Sequence, residues 1–137
     1  MQILEQNIFL NLTASNKEEA IELAGKKLLE NGYIEQGYVD GMLEREKVAT
    51  TFLGMGFAIP HGTNESKKFV KSSALVVLQF PQGVDFDGEL AYILIGIAGV
   101  GDEHLDILSK VAVLLDDELT EVLKAATDKG VFLETFK

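Results

Sequence analysis

The chain has 137 residues, 47% of them apolar and 25% charged, which suits one globular domain with its own core and excludes disordered or fibrous chains. A formal net charge of -10 repels phosphate backbones and anionic lipid heads, so nucleic-acid and membrane-surface binding are not expected, and a protein partner should present a basic face. The absence of cysteine excludes disulfides, thiolate catalysis and cysteine-ligated metals.

Residues 1–12 have no basic n-region, and the longest apolar run, 90–100, is too short to span a bilayer. A protein that is neither exported nor inserted, and that works in the cytoplasm, is the expectation.

In chain order, Asn7 to Leu12 reads as a short edge strand. Ser15-Asn16-Lys17-Glu18 has the spacing of a capping box and opens a helix over about 16–30. Ala20, Ile21, Ala24, Leu28 and Leu29 recur there at helical spacing, and Asn31-Gly32 supplies the stop. A second helix over about 35–47 carries an apolar stripe of Tyr38, Val39, Met42 and Leu43. Arg45 lies seven positions beyond Tyr38 and three beyond Met42, on that stripe, so a cation is expected to point inward. The plainer alternative is an arginine that snorkels at its helix end.

Gly54-Met55-Gly56-Phe57-Ala58-Ile59-Pro60-His61-Gly62-Thr63 follows, a backbone that is flexible, then extended, then stiffened. Proline pushes the residue before it toward extended geometry, so Ile59 should end a strand and His61 should follow at a rigid edge. Gly62 leaves the backbone beside the imidazole open to another molecule. Thr63 to Lys68 reads as a loop or short helix.

Ala74 to Phe80 is nearly all apolar and rich in β-branched residues, as in a strand buried on both faces. Pro81-Gln82-Gly83 is expected to turn the chain, after which Val84 and Phe86 alternate with Asp85 and Asp87 in a short half-exposed strand ended by Gly88. Ala91 to Ala98 is a second buried strand. Gly99-Val100-Gly101-Asp102 then forms a loop with an N-cap residue at its end, and Leu105, Leu108, Val111, Ala112 and Leu115 mark the helix it opens, with His104 in the first turn. Asp116 or Asp117 caps a further helix carrying Leu119, Val122, Leu123 and Ala126, and Val131 to Phe136 suggests a last short one. There is no repeat or linker. The pattern predicts a single three-layer α/β/α domain over residues 1–137, with a small mixed sheet flanked by helices.

Three residues call for chemistry: His61, His104 and Arg45. A lone histidine is most often structural. Both of these, however, follow predicted strands, where ligands of open α/β sheets gather. His104 also sits at a helix start, where unpaired N–H groups welcome an anion. Convergence of all three would favour a phosphate-sized anion, and imidazole is suited to carrying a phosphoryl group at neutral pH because it is both nucleophile and leaving group. The chain has no P-loop and no kinase glycine loop, so direct use of a nucleotide is not supported. A metal-dependent hydrolase using both histidines and Asp102 has little behind it, since no helix-spaced ligand pair exists. No metal or cofactor is expected.

At these residues the sequence resembles the enzyme IIA domains of the bacterial sugar phosphotransferase system, of the mannitol-fructose type. The resemblance rests on Arg45-Glu46-Lys47, on the Gly-x-Gly-x-Ala-x-Pro-His-Gly pattern ending at Gly62, and on Asp102-Glu103-His104 leading into its helix. It spans the chain. Pro60-His61-Gly62-Thr63 and the stretch from Gln79 to Phe86 look like the mannitol branch. The resemblance implies a carrier that takes a phosphoryl group from phosphorylated HPr on His61 and passes it to a cysteine of enzyme IIB. It further implies that His104 contacts and stabilises that group and that Arg45 neutralises part of its charge. IIB and the membrane permease would then be separate chains. A second reading is a regulatory domain of the nitrogen-related IIA kind, acting through protein partners.

Overall fold

The computed structural model, which describes residues 3–137, orders the chain as β1 (Ile8–Phe9), α1 (Lys17–Glu30), α2 (Gln36–Val48), β2 (Phe52–Gly54), β3 (Phe57–Ala58), β4 (Ala74–Phe86), β5 (Glu89–Ala98), α3 (Glu103–Ala112), α4 (Asp117–Ala125) and α5 (Gly130–Thr135). The strands form one mixed sheet in the order β1-β4-β5-β3-β2. β1 lies parallel to β4 and β3 parallel to β5, whereas β4 with β5 and β2 with β3 are antiparallel.

Side chains that alternate across the sheet build two cores. Val76, Leu78 and Phe80 of β4 face α1 and α2, meeting Ala20, Ile21, Ala24, Leu28, Val39 and Met42. Leu75 and Val77, with Ile93, Ile95 and Ile97 of β5, face Val111, Leu123, Phe132 and Phe136 of the carboxy-terminal helices and the residue beyond them. Because both faces are covered, these strands read as unbroken apolar runs instead of alternating ones. This is the three-layer α/β/α domain expected. Each fully buried Leu, Ile or Phe contributes about 1.5–3 kcal/mol by leaving water.

Three local expectations change. Asn16, not Ser15, caps α1: its Oδ1 accepts from the Glu19 N–H at 2.8 Å, while the Glu19 carboxylate accepts from the Ser15 N–H at 3.1 Å. Asparagine caps as well as serine does, and Glu19 is the acid three residues beyond it. Pro81-Gln82-Gly83 does not turn the chain. β4 runs through it as an irregularity, with the register passing from Gln79↔Ile93 to Val84↔Ala91, and Gly83 takes φ +80° there. A bulge absorbs the missing N–H of Pro81 while the apolar residues on either side keep their pairing. The strand β2, three residues long, carried no periodicity to announce it; it is held at the edge by pairing to β3 and by Phe52 stacked on Phe86 at 5.9 Å between ring centres.

Among the described residues, no helix is long and apolar enough to cross a membrane.

Candidate functional site

β3 and β5 run parallel, so their carboxy-terminal ends lie side by side, and both lead to residues singled out in the sequence. β3 ends at Ala58, and the chain continues along the sheet just beyond it. The Ile59 N–H donates to the Thr51 carbonyl at 3.0 Å, the Ile97 N–H donates to the Pro60 carbonyl at 3.0 Å, and His61 pairs with Ile97 as an isolated parallel bridge. The fixed φ of Pro60 and this last rung hold His61 at the sheet's edge, where its ring is half-buried.

From Ile97 it is two residues to Gly99, and Gly99 is where α3 comes in. A Cβ placed on Gly99 would lie 2.2 Å from the His104 backbone nitrogen and 2.6 Å from its Cα. Only glycine permits so close an approach, which brings the first turn of α3, with His104, against the end of β5. The His104 Nδ1 lies 3.3 Å from the Gly101 carbonyl. Asp102 stands at the N-cap position of α3 without a side-chain capping bond.

Arg45 reaches the same end of the sheet from α2, but not as an inward cation. It is half-buried, and its Nη1 donates to the Ala49 carbonyl at 2.6 Å. The inward position belongs to Glu46, which is 6% exposed. Val39, Met42 and Glu46 follow the i, i+3, i+7 spacing of one helix face, and Arg45 falls at its margin. The Glu46 carboxylate accepts from the Thr51 N–H at 2.8 Å, from the Thr51 hydroxyl at 2.7 Å and from the Thr50 hydroxyl at 2.6 Å. Lys17 lies 3.4 Å from it and 2.8 Å from Asp87. Burial disfavours ionisation of Glu46, yet the Thr50 and Thr51 hydrogen bonds and the Lys17 cation outweigh it and hold the carboxyl below its ordinary pKa. Glu46 thus fastens the end of α2, and with it Arg45, to the entry of β2.

A second buried residue of α2 braces the histidine itself. Tyr38, 2% exposed, donates its hydroxyl to the Ile97 carbonyl at 2.7 Å and accepts from the Gly62 N–H at 2.9 Å. Burial pushes its phenol up to about 12, against the opposing effect of the Gly62 N–H, so it stays neutral. Sequence reading saw Tyr38 only as part of an apolar stripe, and it assigned no function to Glu46 or to Gly99. The polar atoms on Tyr38 and Glu46, on a face otherwise apolar, were the available sign, because a buried polar group must find partners.

The electrostatics of His61 follow from these neighbours. Burial of the ring is the largest influence and lowers its pKa below the usual 6.5; the hydrogen bond to the Ile59 carbonyl acts the other way, the positive charges of Arg45 and His104 add to the lowering, and Glu46 opposes them. At neutral pH the imidazole is therefore uncharged. Its Nδ1 lies 2.8 Å from the Ile59 carbonyl. A carbonyl can only accept, so Nδ1 holds the proton and Nε2 keeps a free lone pair. Arg45 and His104 both act electrostatically on the His61 ring, so a neutral imidazole, a guanidinium and a second imidazole at a helix start lie in one neighbourhood. The wide surface cavity of about 810 Å³ lined by Ile3, Val131 and Leu133 is not part of this arrangement. Among the described residues, no three His, Asp or Glu side chains gather as a metal ion would require.

Comparison with known proteins bears on the family and the fold. The chain is 47% identical over 135 residues to the mannitol-specific phosphotransferase enzyme IIA component of Geobacillus stearothermophilus, covering 96% of this chain and 93% of that one. Its fold superposes on the crystal structure of IIA mannitol from Escherichia coli with a TM-score of 0.92 at 38% identity, over 100% of both chains. It superposes equally well, with a TM-score of 0.92 at 37% identity over 98% of this chain and 96% of the other, on enzyme IIA from the Escherichia coli complex of enzyme IIAMTL and phosphorylated enzyme IIBMTL. Residues 1–137 match the family described as phosphoenolpyruvate-dependent sugar phosphotransferase system, EIIA 2, and with an imidazole, a guanidinium and a helix start meeting at one sheet end, the chain belongs to that family.

Proposed function

We propose that this protein is the phosphohistidine carrier of a mannitol phosphotransferase system, taking a phosphoryl group from phosphorylated HPr on His61 and passing it to a cysteine of its enzyme IIB. The observation that carries this reading is the state of the His61 ring, neutral with Nδ1–H held by Ile59 and Nε2 free, beside Arg45 and His104. The mannitol-specific relatives, and the Escherichia coli neighbour seen with phosphorylated IIB, support the choice of system and of acceptor.

In the first transfer, Nε2 of His61 attacks the phosphorus, the P–N bond of the donor's phosphohistidine breaks, and the donor imidazole leaves with the bonding pair. In the second, a thiolate of IIB attacks the same phosphorus and the bond to His61 Nε2 breaks. Such transfers demand positioning and charge neutralisation more than covalent help. One nitrogen of Arg45 is engaged by Ala49, which orients the guanidinium and leaves other N–H donors for phosphoryl oxygens. His104 at the start of α3 supplies the second contact, a ring N–H placed to donate to a phosphoryl oxygen. No cofactor takes part. The carrier works in the cytoplasm, where HPr and the inner face of a membrane permease that includes IIB can both be reached, and its net charge of -10 favours basic faces on these partners.

Incubation with phosphoenolpyruvate, enzyme I and HPr should yield about one acid-labile phosphohistidine per chain, and addition of a mannitol IIB should discharge it. A protein that takes no label refutes the reading. Arg45→Ala should slow the first transfer by about 10²-fold, the size of loss typical for a single electrostatic donor to a developing charge. Stopped-flow transfer kinetics equal to wild type would make Arg45 structural only.

A further inference from the structure

A parallel ladder that pairs His61 with Ile97 is closed by two rungs, Ile97 N–H to Pro60 carbonyl and Gly62 N–H to Ile97 carbonyl. The first is present at 3.0 Å. The second runs through a side chain: Gly62 N–H goes to the Tyr38 hydroxyl at 2.9 Å, and that hydroxyl goes on to the Ile97 carbonyl at 2.7 Å. A phenol from α2 is interposed in the last rung of the sheet, between the residue after His61 and the residue that His61 pairs with.

The surroundings leave Tyr38 no freedom and the loop little. The side chain is 2% exposed. A Cβ on Gly62 would lie 2.5 Å from Tyr38 Cε1 and 2.4 Å from Ser66 Oγ, and one on Gly41 would lie 2.3 Å from Ser66 Cβ. Ser66 in turn donates its hydroxyl to the Thr63 carbonyl at 2.8 Å. The chain after His61 is thus clamped between the phenol and the turn at 63–66. On the other side Pro60 is tied to Ile97. His61 is the one residue between these two anchors.

We propose that Tyr38 is a positioning residue for the carrier histidine: by holding the Gly62 N–H away from a direct rung, it sets the backbone at His61 so that Nδ1–H rests on the Ile59 carbonyl and Nε2 alone is presented for phosphorylation. The raised pKa of the buried phenol is consistent with this, since the hydroxyl must keep its proton to donate to Ile97. Tyr38 touches neither donor nor phosphoryl group. It acts through the backbone on either side of the ring.

This inference rests on His61 being the phosphorylated residue, but its first test does not. In Tyr38→Phe, the Gly62 N–H is free to close directly onto Ile97, and His61 is released from its single orientation. Long-range ¹⁵N–¹H spectra of the unphosphorylated protein should show His61 as the Nδ1–H tautomer in the wild type and as a mixture in Tyr38→Phe. Ile21→Val, a core change under α1, serves as a control for lost stability and should leave the tautomer as in the wild type. In transfer from phosphorylated HPr, Tyr38→Phe should lower kcat by roughly 10²-fold, as misplacement of a reacting group by about 1 Å does, with KM changed little. Tyr38→Phe with an unmixed Nδ1–H tautomer and an unchanged kcat overturns the proposal, as does an equal tautomer shift in Ile21→Val. Should Tyr38→Phe not fold, the wild type decides: a slowly exchanging Tyr38 hydroxyl proton with a nuclear Overhauser contact to the Gly62 amide is expected, and its absence overturns the interposed rung.

Discussion

Replacing His61 with alanine should leave the protein folded and abolish phosphoryl uptake. The ring is half-buried and its one hydrogen bond, to the Ile59 carbonyl, lies at the sheet's edge, so removing it should cost only about 1 kcal/mol, the usual worth of one such bond. The backbone rungs to Thr51 and Ile97 do not involve the side chain and persist. If His61 is the acceptor, as proposed, the loss of function should be total, because nothing substitutes for Nε2. Label retained by His61→Ala after incubation with radioactive phosphoenolpyruvate, enzyme I and HPr would move the acceptor elsewhere, His104 being the first place to look. The pH dependence of uptake in the wild type carries the same information in another form. Only the neutral ring has a lone pair to offer, and burial, with Arg45 and His104 assisting, places the His61 pKa below 6.5. The rate should therefore fall, as the pH is lowered, only at a pH below that at which an ordinary histidine gains its proton. A rate that already halves at pH 6.5 contradicts it.

Gly99→Ala should also slow transfer strongly, although the residue carries no chemistry. Its new methyl would meet the His104 backbone nitrogen at 2.2 Å, its Cα at 2.6 Å and its Cβ at 2.7 Å. Three atoms of a helix's first turn cannot step aside as the tip of a flexible side chain can, so α3 must move away from β5. Overpacking of this kind costs about 1–3 kcal/mol. The displacement falls on His104 itself, and a shift of about 1 Å in the group proposed to contact the phosphoryl oxygens should slow transfer by roughly 10²-fold. Gly101→Ala, two residues on, is the informative contrast. Gly101 has φ +59° with nothing within 4 Å of a Cβ, so alanine there meets only backbone strain of about 1–2 kcal/mol. Urea denaturation should register both changes, whereas transfer kinetics should separate them. Equal transfer rates in the two variants would show that the close approach of α3 has no part in the reaction.

Much of the fold was legible without coordinates. The start of α1 to within one residue, the capped start of α4, the Asn31-Gly32 stop and the two apolar runs that became β4 and β5 are local features, decided by residues that touch their own neighbours in sequence. Errors arose where a local rule met a tertiary partner. Pro81-Gln82-Gly83 has the composition of a turn, yet pairing with β5 on both sides carried the strand through it. Arg45 and Glu46 are adjacent, and helical periodicity places both near the stripe; what sent Glu46 inward was the set of donors waiting at Thr50, Thr51 and Lys17.

The candidate site divides in the same way. Composition by itself determined that His61 stands in a stiffened, open stretch and that His104 opens a helix, and the family pattern around them was readable because it consists of residue types at short spacings. That the two histidines and Arg45 share one place was decided by the parallel pairing of β3 with β5, by the absence of a Cβ at Gly99, and by the anchoring of α2 through Glu46. Tyr38 shows the limit most clearly. Its spacing marks it as core, and it is core, but the direction of its hydroxyl depends on the end of a strand that lies 59 residues away in the chain. Short-range spacing records what a residue must be near in its own element; which backbone group it meets across the layers is set only when the sheet and helices have packed.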